Sequence, residues 1–140
     1  MQIIDDKLLN KVCKLADESP RQRMNYNFHP QESDPFNRLL NAMNPGTQFP
    51  VHRHVNPDKD ESFLVLRGSL VTYLFDEDGN LICEKEINPK KGIYGMDIPA
   101  GVWHTFVVQE PGTVVYEAKQ GPYAPVTQEN IAPWQLSDKI

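Results

Sequence analysis

Three of the four histidines in this sequence stand where their side chains can converge with a glutamate. His52 and His54 are two positions apart, and on an extended strand such residues point to the same face, about 6.6 Å apart. A turn in the following stretch, "VNPDKD", would bring Glu61 back beside them, and His104 follows a Pro-x-Gly turn. Imidazoles with one carboxylate suit iron, nickel, manganese or zinc better than calcium or magnesium. The pattern therefore predicts one divalent transition metal ion.

Other interpretations of the same residues are open at this point. A single histidine is more often hydrogen-bonded or exposed than bound to a metal, so the prediction depends on all three histidines together. Asp58 and Asp60, in the loop before Glu61, are competing carboxylates.

The elements that must position these residues are mostly short strands. Residues 4–17 carry apolar side chains at helical spacing, which predicts a short amphipathic helix. Residues 20–36 hold three prolines and predict a loop or an extended edge segment, whereas residues 37–43 fit a helical turn or a short strand. Strand-like stretches follow, separated by turn signals: "TQFPVHRH", "SFLVLRG", "SLVTYLFDEDGNLICEKEI", "GIYGMDIPAG", "WHTFVVQEPG" and "TVVYEAKQG". Six or more such strands predict an all-β sandwich or barrel, with a hairpin at Asp78-Gly79.

Charge and composition narrow the class of partner. The chain has 14 Lys and Arg against 19 Asp and Glu, a net charge of -5, and its only basic run is the Lys90-Lys91 pair. Nothing here favours nucleic acid or an anionic membrane, so a small-molecule ligand is expected. Two cysteines in no paired motif and an acidic start unlike a signal peptide predict a cytoplasmic protein.

The spacing of the candidate ligands resembles that of a known superfamily. The chain reads G-x5-H-x-H-x6-E-x6-G over residues 46–68 and P-x-G-x2-H over residues 99–104. These two segments resemble the conserved motifs of the cupins, in which the corresponding residues bind a metal inside a small β-barrel. Two departures are visible, since cupins usually have three or four residues before the glutamate and an asparagine where Val108 stands. The resemblance implies four metal ligands: His52, His54, Glu61 and His104.

It also implies the domain organisation. We expect a single-domain, all-β cupin, a double-stranded β-helix with a jelly-roll-like barrel. A short helix in residues 1–20 would pack on the barrel, and residues 21–140 would form the barrel and a C-terminal tail. Small cupins commonly pair, so a homodimer is expected by analogy.

A closer resemblance extends from about residue 19 to residue 134. The stretches "SPRQRMNYNFH", "RLLNAMNPGTQFPVHRH", "FLVLRGSL", "PAGVWHT", "YEAKQGPYAP" and "IAPW" are similar to the WbuC-type cupin-fold metalloproteins found with bacterial surface-polysaccharide genes. This resemblance implies a small metalloenzyme acting on a sugar or a sugar-nucleotide-like substrate. Two alternatives are a non-catalytic cupin that binds a sugar or a small acid, and a metal-dependent dioxygenase or decarboxylase.

Further residues are predicted to contact substrate. The stretch "RQRMNYNFHP" matches the WbuC-type pattern, and its arginines suit an anion or sugar hydroxyls, although surface ion pairs would equally explain them. Glu117 and Lys119 are two positions apart on a predicted strand and therefore share one face. If this charged pair were turned inward, it would indicate a functional site. The candidates are Arg21, Arg23, Asn27, His29, Glu117, Lys119 and Tyr123.

Overall fold

One helix and eight strands account for most of the regular structure. The computed structural model describes all 140 residues. The helix α1 spans Asp6–Glu18. The strands are β1 Arg23–Asn27, β2 Phe36–Met43, β3 Glu61–Arg67, β4 Leu70–Phe75, β5 Leu81–Ile87, β6 Gly95–Ile98, β7 Trp103–Val108 and β8 Thr113–Gln120.

The strands form two antiparallel sheets. The larger has the order β1-β2-β8-β3-β6, and the smaller has the order β5-β4-β7. The hairpin predicted at Asp78-Gly79 joins β4 to β5 and is confirmed. The prediction of a single-domain, all-β barrel with a short N-terminal helix is also confirmed.

Alternation along β3 shows which face of the large sheet is the interior. Glu61, Phe63 and Val65 are buried, whereas the residues between them are exposed. A continuous apolar core fills the space between the sheets, because burying each large apolar side chain is worth about 1.5–3 kcal/mol. Its members are Met43, Phe63, Val65, Leu70, Ile87, Ile98, Val108 and Val115.

The N-terminal helix covers the opposite face of the same sheet. The Asp5 carboxylate accepts a hydrogen bond from the Leu8 N–H at 2.9 Å and caps the first turn. The buried stripe of the helix packs against β2 and β8. This cluster consists of Leu9, Val12, Ala16, Leu40, Ala42 and Val114. The helix therefore supports the sheet from behind and leaves the inner face free for other side chains.

The structure decides the predictions for two segments. Residues 37–43 belong to β2, an eight-residue strand between β1 and β8, which confirms the strand alternative over the helical turn. The strand predicted over "TQFPVHRH" is wrong, since its only regular feature is an isolated bridge at His52. Pro50 has no N–H to donate, which interrupts a ladder at this point.

The C-terminal tail crosses the outside of the smaller sheet. Trp134 packs on Phe75, with ring centroids 4.8 Å apart, and on Trp103. Trp103 is therefore part of an outer apolar cluster. No helix of the structure has the length and apolar character needed to cross a bilayer.

Candidate metal centre

The four predicted ligands come from three separate parts of the chain. His52 and His54 lie on the irregular segment before β3, Glu61 is the first residue of β3, and His104 is the second residue of β7. Reciprocal backbone hydrogen bonds of 3.0 and 2.8 Å join His52 to His104. One ligand atom from each of the four side chains lies within 4.8 Å of the others. The structure thus brings all four together, and we call this group the cage.

Backbone carbonyls set the orientation of two of the rings. The Nδ1 atom of His52 lies 3.0 Å from the Pro50 carbonyl oxygen, and that of His104 lies 2.8 Å from the Val102 carbonyl oxygen. Because a carbonyl only accepts, each Nδ1 must carry the proton and donate. In the neutral imidazole the other nitrogen, Nε2, then holds a lone pair, which is the form that binds a metal.

The contacts of Glu61 show what the Nε2 atoms of His104 and His54 face. Its two carboxylate oxygens lie 2.8 Å from Nε2 of His104 and 3.1 Å from Nε2 of His54. Both nitrogens are buried, and neither has a partner in hydrogen-bond geometry. The lone pair on Nε2 of His104 and a carboxylate oxygen 2.8 Å away repel each other unless a proton or a cation lies between them. The donor set therefore fits a divalent transition metal ion.

The environment of the cage disfavours protonation of His52. Burial, followed by the charge of His104, lowers the pKa of His52 to about 3. Burial alone would raise the pKa of Glu61, but its contacts with His104 and His54 hold that pKa well below its ordinary value. An ionised Glu61 beside a neutral His52 is the protonation state that a metal site needs.

Sequence comparison assigns the chain to a family. The family model described as a domain of unknown function, DUF6016, matches residues 4–87. The chain belongs to the DUF6016 family. No curated protein matches it.

Solved structures identify the fold of this DUF6016 chain. Capsular polysaccharide assembling protein CapF from Staphylococcus aureus is 24% identical, with a TM-score of 0.59, over 72% of this chain and 27% of the CapF chain. KdgF from Halomonas is 16% identical, with a TM-score of 0.56, over 73% of this chain and 80% of KdgF. Bacillus subtilis oxalate decarboxylase, which has Mn(II) centres, is 15% identical, with a TM-score of 0.55, over 82% of this chain and 28% of its own. All three are cupin-fold proteins, so the DUF6016 chain has the cupin fold, although it spans only about a quarter of CapF and of oxalate decarboxylase.

A short C-terminal segment holds in place the stretch of chain that carries His52 and His54. The Asn130 side chain donates to the Val55 carbonyl at 2.9 Å and accepts from the Val55 N–H at 3.2 Å. The Asn130 carbonyl also accepts from the Arg53 N–H at 3.0 Å. Asn130 is buried, and it stands 76 positions after His54, so no local pattern in the sequence of this DUF6016 protein pointed to it.

The remaining predicted residues fall into two groups. Glu117 and Lys119 of β8 lie on the inner face of the large sheet, in register with Phe63 and Glu61. Burial and the nearby charge of Glu61 raise the pKa of Glu117. The two side chains thus lie beside the cage, as the strand pattern allowed.

The second group lies away from the cage. Arg21 and Tyr123 are exposed in loops, and Asn27 is exposed on β1. The guanidinium of Arg23 lies over the Phe49 ring, 4.3 Å from its centroid. The buried His29 ring accepts from the Arg38 N–H at 3.0 Å.

Two further features lie outside the cage. Asp58 and Asp60 are exposed and contribute no ligand atom to it, so Glu61 is the carboxylate that the fold selects. A groove of about 830 Å³ runs along the outside between residues 46–51 and the tail, and no cage residue lines it.

Acid should destabilise the metal-free protein. His52 stays neutral in the folded chain down to its pKa of about 3, whereas in the unfolded chain it takes up a proton near its ordinary value of 6.5. The unfolded state therefore binds more protons between pH 6.5 and 3, and stability falls as the pH falls through this window. One proton corresponds to at most about 1.4 kcal/mol per pH unit. Urea unfolding at several pH values between 6.5 and 5 measures the slope.

The His52→Gln variant provides the control. It lacks the titrating ring, so its free energy of unfolding should change less with pH by about one proton. An identical slope in both proteins would show that His52 is not held neutral by the fold. Glu61, with an ordinary pKa of 4.5, adds to the effect only at lower pH.

Proposed function

We propose that this chain is a metal-dependent cupin of the WbuC type, acting on a sugar or a sugar-nucleotide-like substrate in bacterial surface-polysaccharide metabolism. The observation that carries the proposal is the cage, in which two buried imidazole nitrogens without hydrogen-bond partners lie against the two oxygens of one carboxylate. Such an arrangement is costly without a cation and useful with one.

The chain's own residues would divide the work. His52, His54, Glu61 and His104 would hold the ion. A divalent ion supplies Lewis-acid polarisation of a bound oxygen or activation of water, and four protein donors leave two positions on a six-coordinate ion. Backbone carbonyls of Pro50 and Val102 keep the imidazoles correctly oriented.

The interior next to the cage contains polar groups. A small internal cavity of about 10 Å³ is lined by Glu117 and Asn41 together with apolar side chains. The buried Oδ1 atom of Asn41 has no hydrogen-bond partner in the protein. A cavity of this size has room for one water-sized group and not for a sugar ring, so it is not the substrate pocket.

The polysaccharide context rests on similarity. The stretches quoted above resemble WbuC-type proteins, and CapF, a fold neighbour, is named as a capsular polysaccharide assembling protein. Both support a sugar derivative as the first class of substrate to test.

Elemental analysis of untagged protein, followed by a screen of sugars and nucleotide sugars with the metal-loaded form, tests the proposal. We expect one stoichiometric transition metal, and binding or conversion of at least one compound that chelation abolishes. Loaded protein that leaves every compound unbound and unchanged would contradict the proposal. Binding without turnover, and unaffected by His52→Ala, would instead identify a non-catalytic cupin.

A further inference from the structure

Two lysines lie beside the cage on the inner side of the large sheet. Lys119 of β8 is the register partner of Glu61. The ladder continues before β3, where the Gln120 N–H donates to the Asp60 carbonyl at 3.3 Å. Lys59 stands two residues before Glu61, so on this extended path it projects to the same side. Both lysines therefore lie on the cage side of the large sheet, near enough for the charge of Lys119 to act on Lys59.

Neither lysine is neutralised by the protein. The ion pairs of the chain involve other residues, and no carboxylate lies within ion-pair distance of Lys59 or Lys119. Lys59 is 5% exposed, and its ammonium donates to the Pro122 carbonyl. Lys119 makes no hydrogen bond to the protein. Buried and half-buried charges are usually paired, so two unpaired cations side by side point to a missing anion.

The nearby carboxylates do not supply that anion. Both oxygens of Glu61 are directed at the histidines. Glu117 feels the charge of Lys119 from the same strand face, but the two are not within ion-pair distance, and Glu117 lines the internal cavity together with Asn41. A bound divalent ion and the two ammonium groups together carry four positive charges, whereas Glu61 and Glu117 carry at most two negative ones. The site with its ion therefore has an excess of positive charge. This local excess contrasts with the net charge of -5 of the whole chain.

We infer that Lys119, assisted by Lys59, binds an oxyanion of the substrate, a carboxylate or a phosphate, while another oxygen of the same molecule reaches the cage. This inference rests on the proposed function and adds the charge of the substrate to it. Charge-assisted hydrogen bonds in a partly desolvated site are stronger than neutral ones, which is enough to select acids over neutral analogues.

Matched probes that differ in one charged group test the inference by calorimetry on the Mn²⁺-loaded protein. The first pair is D-glucuronate and D-glucuronamide, and the second is glucose 1-phosphate and glucose. We expect at least one acid to bind about tenfold more tightly than its neutral partner, since tenfold corresponds to about 1.4 kcal/mol. The pair that shows the difference identifies carboxylate or phosphate as the recognised group.

Variants of the two lysines test which side chain causes the preference for the acid. Lys119→Met should remove most of the preference with metal content unchanged, and Lys119→Arg should keep much of it. Lys85→Met is the matched control, because Lys85 is exposed on β5, which belongs to the smaller sheet and not to that of Lys119. Since Lys59 is buried, Lys59→Met is informative only after its fold is verified by circular dichroism.

The outcomes separate this inference from the proposed function. Equal binding of acid and neutral probes, or a preference that survives Lys119→Met, overturns the inference and leaves a metal-dependent sugar-binding cupin in place. Failure of all four probes at millimolar concentration counts against both.

Discussion

Replacing His104 with alanine should lower the metal affinity of the protein by roughly 100-fold or more. His104 is 1% exposed, its Nε2 faces Glu61, and its Nδ1 is committed to a carbonyl. Changes to groups that only orient a ligand cost about 10-fold to 100-fold, so losing a ligand should cost at least as much. Elemental analysis of untagged protein measures occupancy. Thermal unfolding with added metal measures affinity independently, because only a bound ion raises the melting temperature.

His29→Ala is the matched control for this experiment. His29 is also a buried histidine, but it is hydrogen-bonded to the Arg38 backbone and does not belong to the cage. We expect that variant to lose some stability and to keep its metal. Full occupancy after both His104→Ala and His54→Ala would refute the ligand assignment.

Replacing Asn130 with alanine should weaken both the fold and the metal site, although Asn130 touches no metal. The substitution removes two hydrogen bonds and leaves the N–H and carbonyl of Val55 without partners. At about 1 kcal/mol for each bond, plus the cost of the unpaired groups, a loss of about 2–4 kcal/mol is expected. Because the same segment carries His52 and His54, metal affinity should fall by about tenfold.

Urea unfolding of the metal-free variant isolates the first effect, and metal titration isolates the second. Asn25→Ala is a suitable comparison, since Asn25 is exposed on β1 and its side chain makes no hydrogen bond. If Asn130→Ala lost stability but bound metal like the wild type, the segment would be a structural support without influence on the cage.

The strands and the ligand residues could be predicted from the sequence because local patterns mark them. The β-branched and aromatic content of the strands and the Asp-Gly turn are local signals, and local signals survive into the fold. The spacing of His52, His54 and Glu61 also indicated convergence, even though His52 and His54 do not lie on a strand. Their rings converge because His52 pairs with His104 along the free edge of β7.

What the sequence could not show depends on tertiary contacts. The support from Asn130 joins residues distant in the chain, and an asparagine near a proline-rich tail has no distinctive pattern. The place of residues 37–43 at the centre of a sheet depends on β1 and β8 lying on either side. Similarly, the choice of Glu61 over Asp60 follows from the Ala100 N–H, to which the Asp60 carboxylate is bound at 2.8 Å.

The backbone pairing of His52 with His104 also dictates when an ion can be captured as the chain folds. These residues are 52 positions apart, and strands β3 to β6 lie between them. Closing so long a loop is entropically unfavourable until the intervening strands have paired. Metal uptake is therefore a late event in folding, and a nascent chain that has not yet emerged past residue 104 has only part of its binding site. A bound ion would then slow the unfolding of a barrel that has already folded, and it would not initiate folding.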